Sequence, residues 1–100
     1  MEITERRDGS LVVLAVSGRI DVNGSAFLEE EIKKAFSSPA TRTLRLDFSA
    51  VNYISSAGIR VLLATQKHLK PNQEFSIKNP SEFCRQVFEV TGADIFLAIS

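Results

Sequence analysis

Two adjacent serines, Ser55 and Ser56, open the apolar run Ala57-Gly58-Ile59-Arg60-Val61-Leu62-Leu63, which follows the segment Asp47 to Ile54. The pattern reads as a strand end at Asp47, a short loop, and a helix that begins at the serines. A hydroxyl there sits at the positive end of a helix macrodipole, beside backbone N–H groups that lack an intrahelical acceptor. A phosphate added at that point is locally tolerated, so the chain can take on about 1.5 to 2 negative charges without unfolding. That is the chemistry of a switch rather than of a catalyst. The plainer role for Ser56 is a helix N-cap, its oxygen accepting from an N–H two or three residues on. Ser55 takes that role if the helix starts one residue earlier. Capping and phosphorylation are compatible in the unmodified chain.

The other reactive side chains form no constellation. His68 is the one histidine and follows Ser56 by twelve positions on the same expected helix. At 1.5 Å per residue the two lie about 18 Å apart, far beyond the reach of a general base. Asp47 has neither the paired acids nor the later lysine of a phosphoaspartate site, so it reads as a surface carboxylate. No residues stand at metal-ligand spacing and no glycine-rich phosphate loop occurs. The chain is therefore expected to be no enzyme and to carry no metal and no cofactor.

The elements that must position the serines follow from periodicity. Glu2 to Arg6 and the β-branched run Leu11–Val16 form a hairpin across Asp8-Gly9, and the second arm reads as a central strand buried on both faces. From Gly24 to Phe36 the period changes: Leu28, Ile32, Ala35 and Phe36 share one helical face, with Glu29/Lys33 and Glu30/Lys34 paired on the other. Leu44, Leu46 and Phe48 alternate with Thr43, Arg45 and Asp47 in a strand covered on one face. A second helix runs from about Ala57 to Leu69, and Phe75 and Ile77 mark a further strand. Asn79-Pro80-Ser81-Glu82 starts a third helix with Pro at its first position, Phe83, Val87 and Val90 on its buried face and Gly92 as its C-cap. Ile95 to Ile99 reads as a last short strand. The order is β-β-α-β-α-β-α-β: one α/β domain over residues 1–100, with a mixed sheet and its helices mainly on one face.

Composition bounds what such a domain does. Twelve basic and twelve acidic residues cancel, so no basic field exists to hold nucleic acid. The longest apolar run, Leu11 to Val16, is too short to span a membrane, and Met1-Glu2-Ile3-Thr4-Glu5 lacks the pattern of a signal peptide. The single cysteine, Cys84, excludes an internal disulfide, fits a reducing cytoplasm and reads as a small core side chain. Apolar positions on edge strands are as consistent with a monomer as with a weak dimer.

The strand ending Leu46-Asp47-Phe48-Ser49, followed by Tyr53-Ile54-Ser55-Ser56-Ala57-Gly58-Ile59 opening a helix, resembles the signature of the STAS domain family. The likeness is greatest to its free-standing bacterial members, the anti-sigma factor antagonists, and the element order extends it along nearly the whole chain. By that resemblance Ser56 is the phosphoacceptor and Ser55, standing where an Asp is usual, is the runner-up. Gly18-Arg19-Ile20-Asp21 resembles the family's Gly-x-x-Asp run. Arg60 stands where a Gly is common.

The resemblance implies a partner switch. The unphosphorylated chain would bind an anti-sigma factor, a GHKL-type serine kinase, and so release a sigma factor; phosphorylation of Ser56 would end binding, and a serine phosphatase would reset it. Asp21, Asn23, Tyr53, Ile54, Ser55, Ala57, Gly58 and Arg60 would form the contact patch around Ser56, the small Ala57 and Gly58 allowing the kinase backbone to approach. The alternative is a non-switching STAS scaffold in a signalling or lipid-transport complex. Direct nucleotide binding at the helix mouth is a third reading.

Overall fold

Strands β2 (Leu11–Ile20) and β3 (Thr43–Ile54) form the centre of a four-stranded sheet in the computed structural model, which describes residues 1–100. β1 (Glu2–Asp8) pairs antiparallel with β2, while β4 (Glu74–Lys78) pairs parallel with β3. Gly9, at φ +62°, opens the two-residue turn between β1 and β2, a conformation glycine adopts without a side-chain clash. β2 and β3 are parallel and are joined through α1 (Val22–Ser37); α2 (Ser56–Lys67) joins β3 to β4. α3 (Glu82–Thr91) follows β4. No helix is long and apolar enough to cross a membrane.

The sheet has one apolar face. Val12, Leu14 and Val16 of β2, Leu44, Leu46 and Phe48 of β3, and Phe75 and Ile77 of β4 point into a single core. α1 adds Leu28 and Ile32, α2 adds Ile59 and Leu62, and α3 adds Cys84 and Phe88. Each fully buried Leu, Ile or Phe contributes roughly 1.5 to 3 kcal/mol. The other face is polar: one register row runs Thr4, Ala15, Asp47, Lys78 and the next Arg6, Val13, Arg45, Ser76. β2 is therefore not buried on both faces; Ala15 is exposed and Leu11 and Val13 are half-buried. Its length also exceeds the expected run, continuing through Ser17 and Gly18 to Ile20.

β3 likewise does not end at Asp47. It continues through residues expected to form a loop, reaching Ile54 directly before the serines. Two register shifts make this possible. From Ala15↔Asp47 to Ser17↔Ala50, β3 uses three residues against two of β2; from Gly18↔Val51 to Arg19↔Tyr53 it uses two against one. Each extra residue reverses the alternation of side chains, so the inward set passes from Phe48 to Val51 and then to Ile54. Gly18, at φ +90°, sits at the second shift. β4 leaves β3 after Asp47↔Lys78, and α3 covers the stretch beyond, with the Phe88 ring stacked on Phe48 at 6.4 Å.

Four local expectations change. On α3, Cys84 and Phe88 are buried while Phe83 and Val90 are exposed, because the Phe88–Phe48 stack sets the rotation of the helix. Ser81, not a residue before it, is the N-cap of α3, so Pro80 lies outside the helix; Gly92 ends α3 in the left-handed region as expected. The final strand shrinks to a single parallel bridge, Ile77↔Ile99. A 3-10 turn, Ala93–Ile95, occupies its start. On α1, Lys34 lies 3.7 Å from Glu31 rather than pairing with Glu30, and Lys33 lies 3.9 Å from Glu29.

Candidate functional site

Two helix N-termini lie side by side at one end of the sheet. Ile20 and Ile54 are register partners on parallel strands, and Ser55 N–H donates to the Ile20 carbonyl at 2.8 Å. Each strand then turns straight into a helix. Asp21 caps α1, its Oδ1 accepting from Gly24 N–H at 2.8 Å. Ser55 caps α2, its Oγ accepting from Gly58 N–H at 3.2 Å. The partial positive charges of both helices are thus brought to the carboxyl ends of two parallel strands, the end of an α/β sheet where ligands and partners characteristically dock.

The two serines divide the roles between them. Ser55 is half-buried and its hydroxyl is engaged as the cap. Ser56 is the first residue of α2, exposed, and its hydroxyl makes no hydrogen bond within the chain. Ser56 is therefore not the N-cap. Its oxygen is free for chemistry while the helix start is held by its neighbour.

Around it, Asp21, Asn23 and Arg60 are exposed, and Tyr53 and Ala57 are half-buried. Ile54 and Gly58 do not belong to this surface. Ile54 is 4% exposed, and a Cβ built on Gly58 would come within 2.7 Å of Ile54 Cγ1 and 3.0 Å of Ile20 Cγ2. The absence of a side chain at Gly58 lets the first turn of α2 settle onto the sheet.

Three residues extend the surface beyond what the sequence signalled. The Arg19 guanidinium lies 4.1 Å from the centre of the Tyr53 ring, and the Phe83 ring of α3 packs against that ring at 5.7 Å. Such cation–π and aromatic contacts hold Tyr53 in one orientation. Val22, at the start of α1, is 70% exposed. Arg19 and Tyr53 become neighbours only through the second register shift, which leaves no mark in residue spacing.

The chemistry available here is recognition and modification. His68 follows the last residue of α2, at the opposite end from Ser56, and its Nδ1–H donates to Ala64 O at 2.7 Å. No group of three or more His, Cys, Asp or Glu side chains is gathered to hold a metal ion. The Cys84 thiol is buried under α3 at 3.9 Å from the Val51 carbonyl. Burial pushes its pKa up, and a hydrogen bond with Ser81 partly opposes that.

Comparison with known proteins bears on this arrangement. A family model described as "Mlab, STAS domain" matches residues 3–98. RsfB of Mycobacterium tuberculosis, named an anti-sigma-F factor antagonist, is 28% identical over 92 residues, covering 92% of this chain and 75% of that protein. The crystal structure of an anti-sigma factor antagonist from Mycobacterium paratuberculosis superposes with a TM-score of 0.88 at 26% identity, over 98% of this chain and 83% of that one. SpoIIAA of Bacillus in its phosphorylated form shares the fold, with a TM-score of 0.75 at 20% identity over 99% and 91% of the two chains.

Proposed function

The chain belongs to the STAS domain family, and from that membership we propose that it is an anti-sigma factor antagonist operated by phosphorylation of Ser56. In the unmodified state it binds an anti-sigma factor that is also a GHKL-type serine kinase, and so releases a sigma factor in the cytoplasm. The contact surface comprises Asp21, Asn23, Tyr53, Ser55, Ala57 and Arg60 around Ser56, with Val22, Arg19 and Phe83 at its margin. Ile54 and Gly58 support that surface from below.

The observation that carries the reading is the free Ser56 hydroxyl at the first position of α2, beside the N-terminus of α1. Transfer of a phosphoryl group to Ser56 Oγ adds about 1.5 to 2 negative charges. The two helix N-termini stabilise that charge within the antagonist, so the fold survives modification. The partner meets a hydrated dianion that it would have to desolvate. A thousandfold loss of affinity needs only about 4 kcal/mol. A serine phosphatase resets the surface. SpoIIAA, a protein of the same fold, exists in phosphorylated and unphosphorylated forms, which supports a phosphorylation switch on this fold.

The test uses wild-type, Ser56→Ala and Ser56→Asp chains as baits in host lysate, with captured proteins identified by mass spectrometry. A GHKL-type kinase held by the wild type and Ser56→Ala and lost from Ser56→Asp is the expected result. One partner set held equally by all three would instead make the chain a constitutive scaffold.

A further inference from the structure

A groove of about 510 Å³ runs between the last two turns of α1 and of α2, at the far end of both helices from Ser56. Its walls are apolar: Ile32 and Phe36 from α1, Val61 from α2 and Leu69 just beyond it. Phe36, Val61 and Leu69 pack on the core yet remain only half-buried, so the two helices do not close over their apolar sides here. The volume falls within the roughly 300 to 1,000 Å³ of small-molecule sites.

The rim carries Lys33, Lys70 and His68 against a single acid, Glu29. Glu29 reaches Lys33 only at 3.9 Å, with both side chains well exposed, a pair worth little in water. Lys70 has no ion-pair partner. Helix C-termini carry partial negative charge, which would oppose an anion. Here part of that charge is met from within: Ala64 O accepts from both His68 N–H and His68 Nδ1–H, and Lys34 O accepts from Ser37 Oγ–H. The full charges of the lysines are left to set the sign of the rim.

We propose that this groove binds a single-chain amphiphilic carboxylate of the fatty-acid type, its chain along Ile32, Phe36, Val61 and Leu69 and its carboxylate between Lys33 and Lys70. This site is independent of partner switching at Ser56. A nucleotide fits it poorly, since no helix N-terminus or glycine-rich loop opens onto it to hold phosphates.

The test is a titration of the ¹⁵N-labelled chain with sodium decanoate below its micelle concentration, alongside 1-decanol, sodium acetate and vesicles containing phosphatidylglycerol. Decanoate is expected to give saturable amide shifts confined to residues 29–37 and 61–73, with acetate inert. Affinity should fall about tenfold with 1-decanol, and about tenfold in Lys33→Glu/Lys70→Glu and in Ala64→Trp, which fills the groove. The amide spectra of the variants report their folding directly. Shifts that fail to saturate or centre on the exposed Val90, Ile95 and Phe96 would overturn the proposal, as would equal binding of decanol or unaltered binding by both variants. Sedimentation of the chain with the vesicles would overturn it in favour of a lipid surface.

Discussion

Ser55 Oγ accepts the Gly58 N–H at 3.2 Å, while the Ser56 side chain, one residue on, is exposed and makes no hydrogen bond. The two hydroxyls therefore contribute unequally to stability. Ser55→Ala removes an N-cap and should cost about 1 kcal/mol. Ser56→Ala should stay within about 0.5 kcal/mol of the wild type, as for surface positions without a special role. Urea unfolding of both variants measures this. A larger loss from Ser56→Ala than from Ser55→Ala would move the cap to Ser56 and leave its hydroxyl occupied.

Arg60 is exposed and stands four residues after Ser56 on α2, the spacing at which side chains meet on one helix face. With a phosphate on Ser56, the guanidinium gains a charged acceptor one turn away. Arg60→Ala should then destabilise the phosphorylated chain by roughly 0.5 kcal/mol more than the unmodified chain. In a domain of this size that is a difference of about 2 to 4 °C in Tm. Alanine and arginine have similar helix propensity, so the unmodified chain serves as the control. Equal melting shifts in the two forms would remove Arg60 from the switch.

Gly58 offers a sharper packing test. Alanine there would gain up to about 1 kcal/mol of helix propensity. Its Cβ would meet Ile54 Cγ1 at 2.7 Å and Ile20 Cγ2 at 3.0 Å, both on buried side chains with little room to move. Overpacking of that kind costs about 1 to 3 kcal/mol, so the net effect of Gly58→Ala should be destabilising by roughly 1 kcal/mol. A stabilised Gly58→Ala would mean that α2 shifts freely on the sheet. The same variant separates support from contact: if Gly58 lies under the partner surface, affinity should change less than stability.

The Gly58 contacts also mark the boundary of what residue patterns reveal. Alternation at Leu44, Leu46 and Phe48, the turn at Gly9 and the serines before an apolar helix were all legible, because each is a local rule acting over a few residues. The stretch from Ser49 to Ile54 was not. Its two register shifts break the period of two, so an unbroken strand imitates a loop, and only pairing with β2 keeps it extended. On α3, Val87 belongs equally to the set Phe83, Val87, Val90 and to the set Cys84, Val87, Phe88. The choice depends on the Phe48 ring forty residues earlier. The Arg19, Tyr53 and Phe83 cluster was hidden for the same reason, since it joins three elements through tertiary contact. Ile95 and Phe96 suggested a strand by type alone, but only Ile99 forms a bridge, and Leu97 is the one residue of that segment buried in the core.

Cys84 carries a prediction with a definite sign. Its thiol is fully buried, and burial raises its pKa from the ordinary 9.0, with the Ser81 hydrogen bond opposing. A thiolate there would sit among apolar side chains and could no longer donate to the Val51 carbonyl. In the window between the ordinary value and the raised one, the folded chain keeps a proton that the unfolded chain releases. The stability this confers is fully present below about pH 9 and is lost as pH rises through that window. The readout is the difference between the wild type and Cys84→Ala, measured by urea unfolding at a series of pH values, so that contributions common to both chains cancel. The wild type should lose its advantage progressively above about pH 9 while the variant lacks that component of the slope. Parallel stability profiles would show that the thiol is no harder to ionise folded than unfolded. Labelling by a disulfide reagent at neutral pH gives an independent check: reaction should wait on opening of α3 and accelerate in mild urea, whereas rapid labelling of the native chain would place the sulfur within reach of solvent.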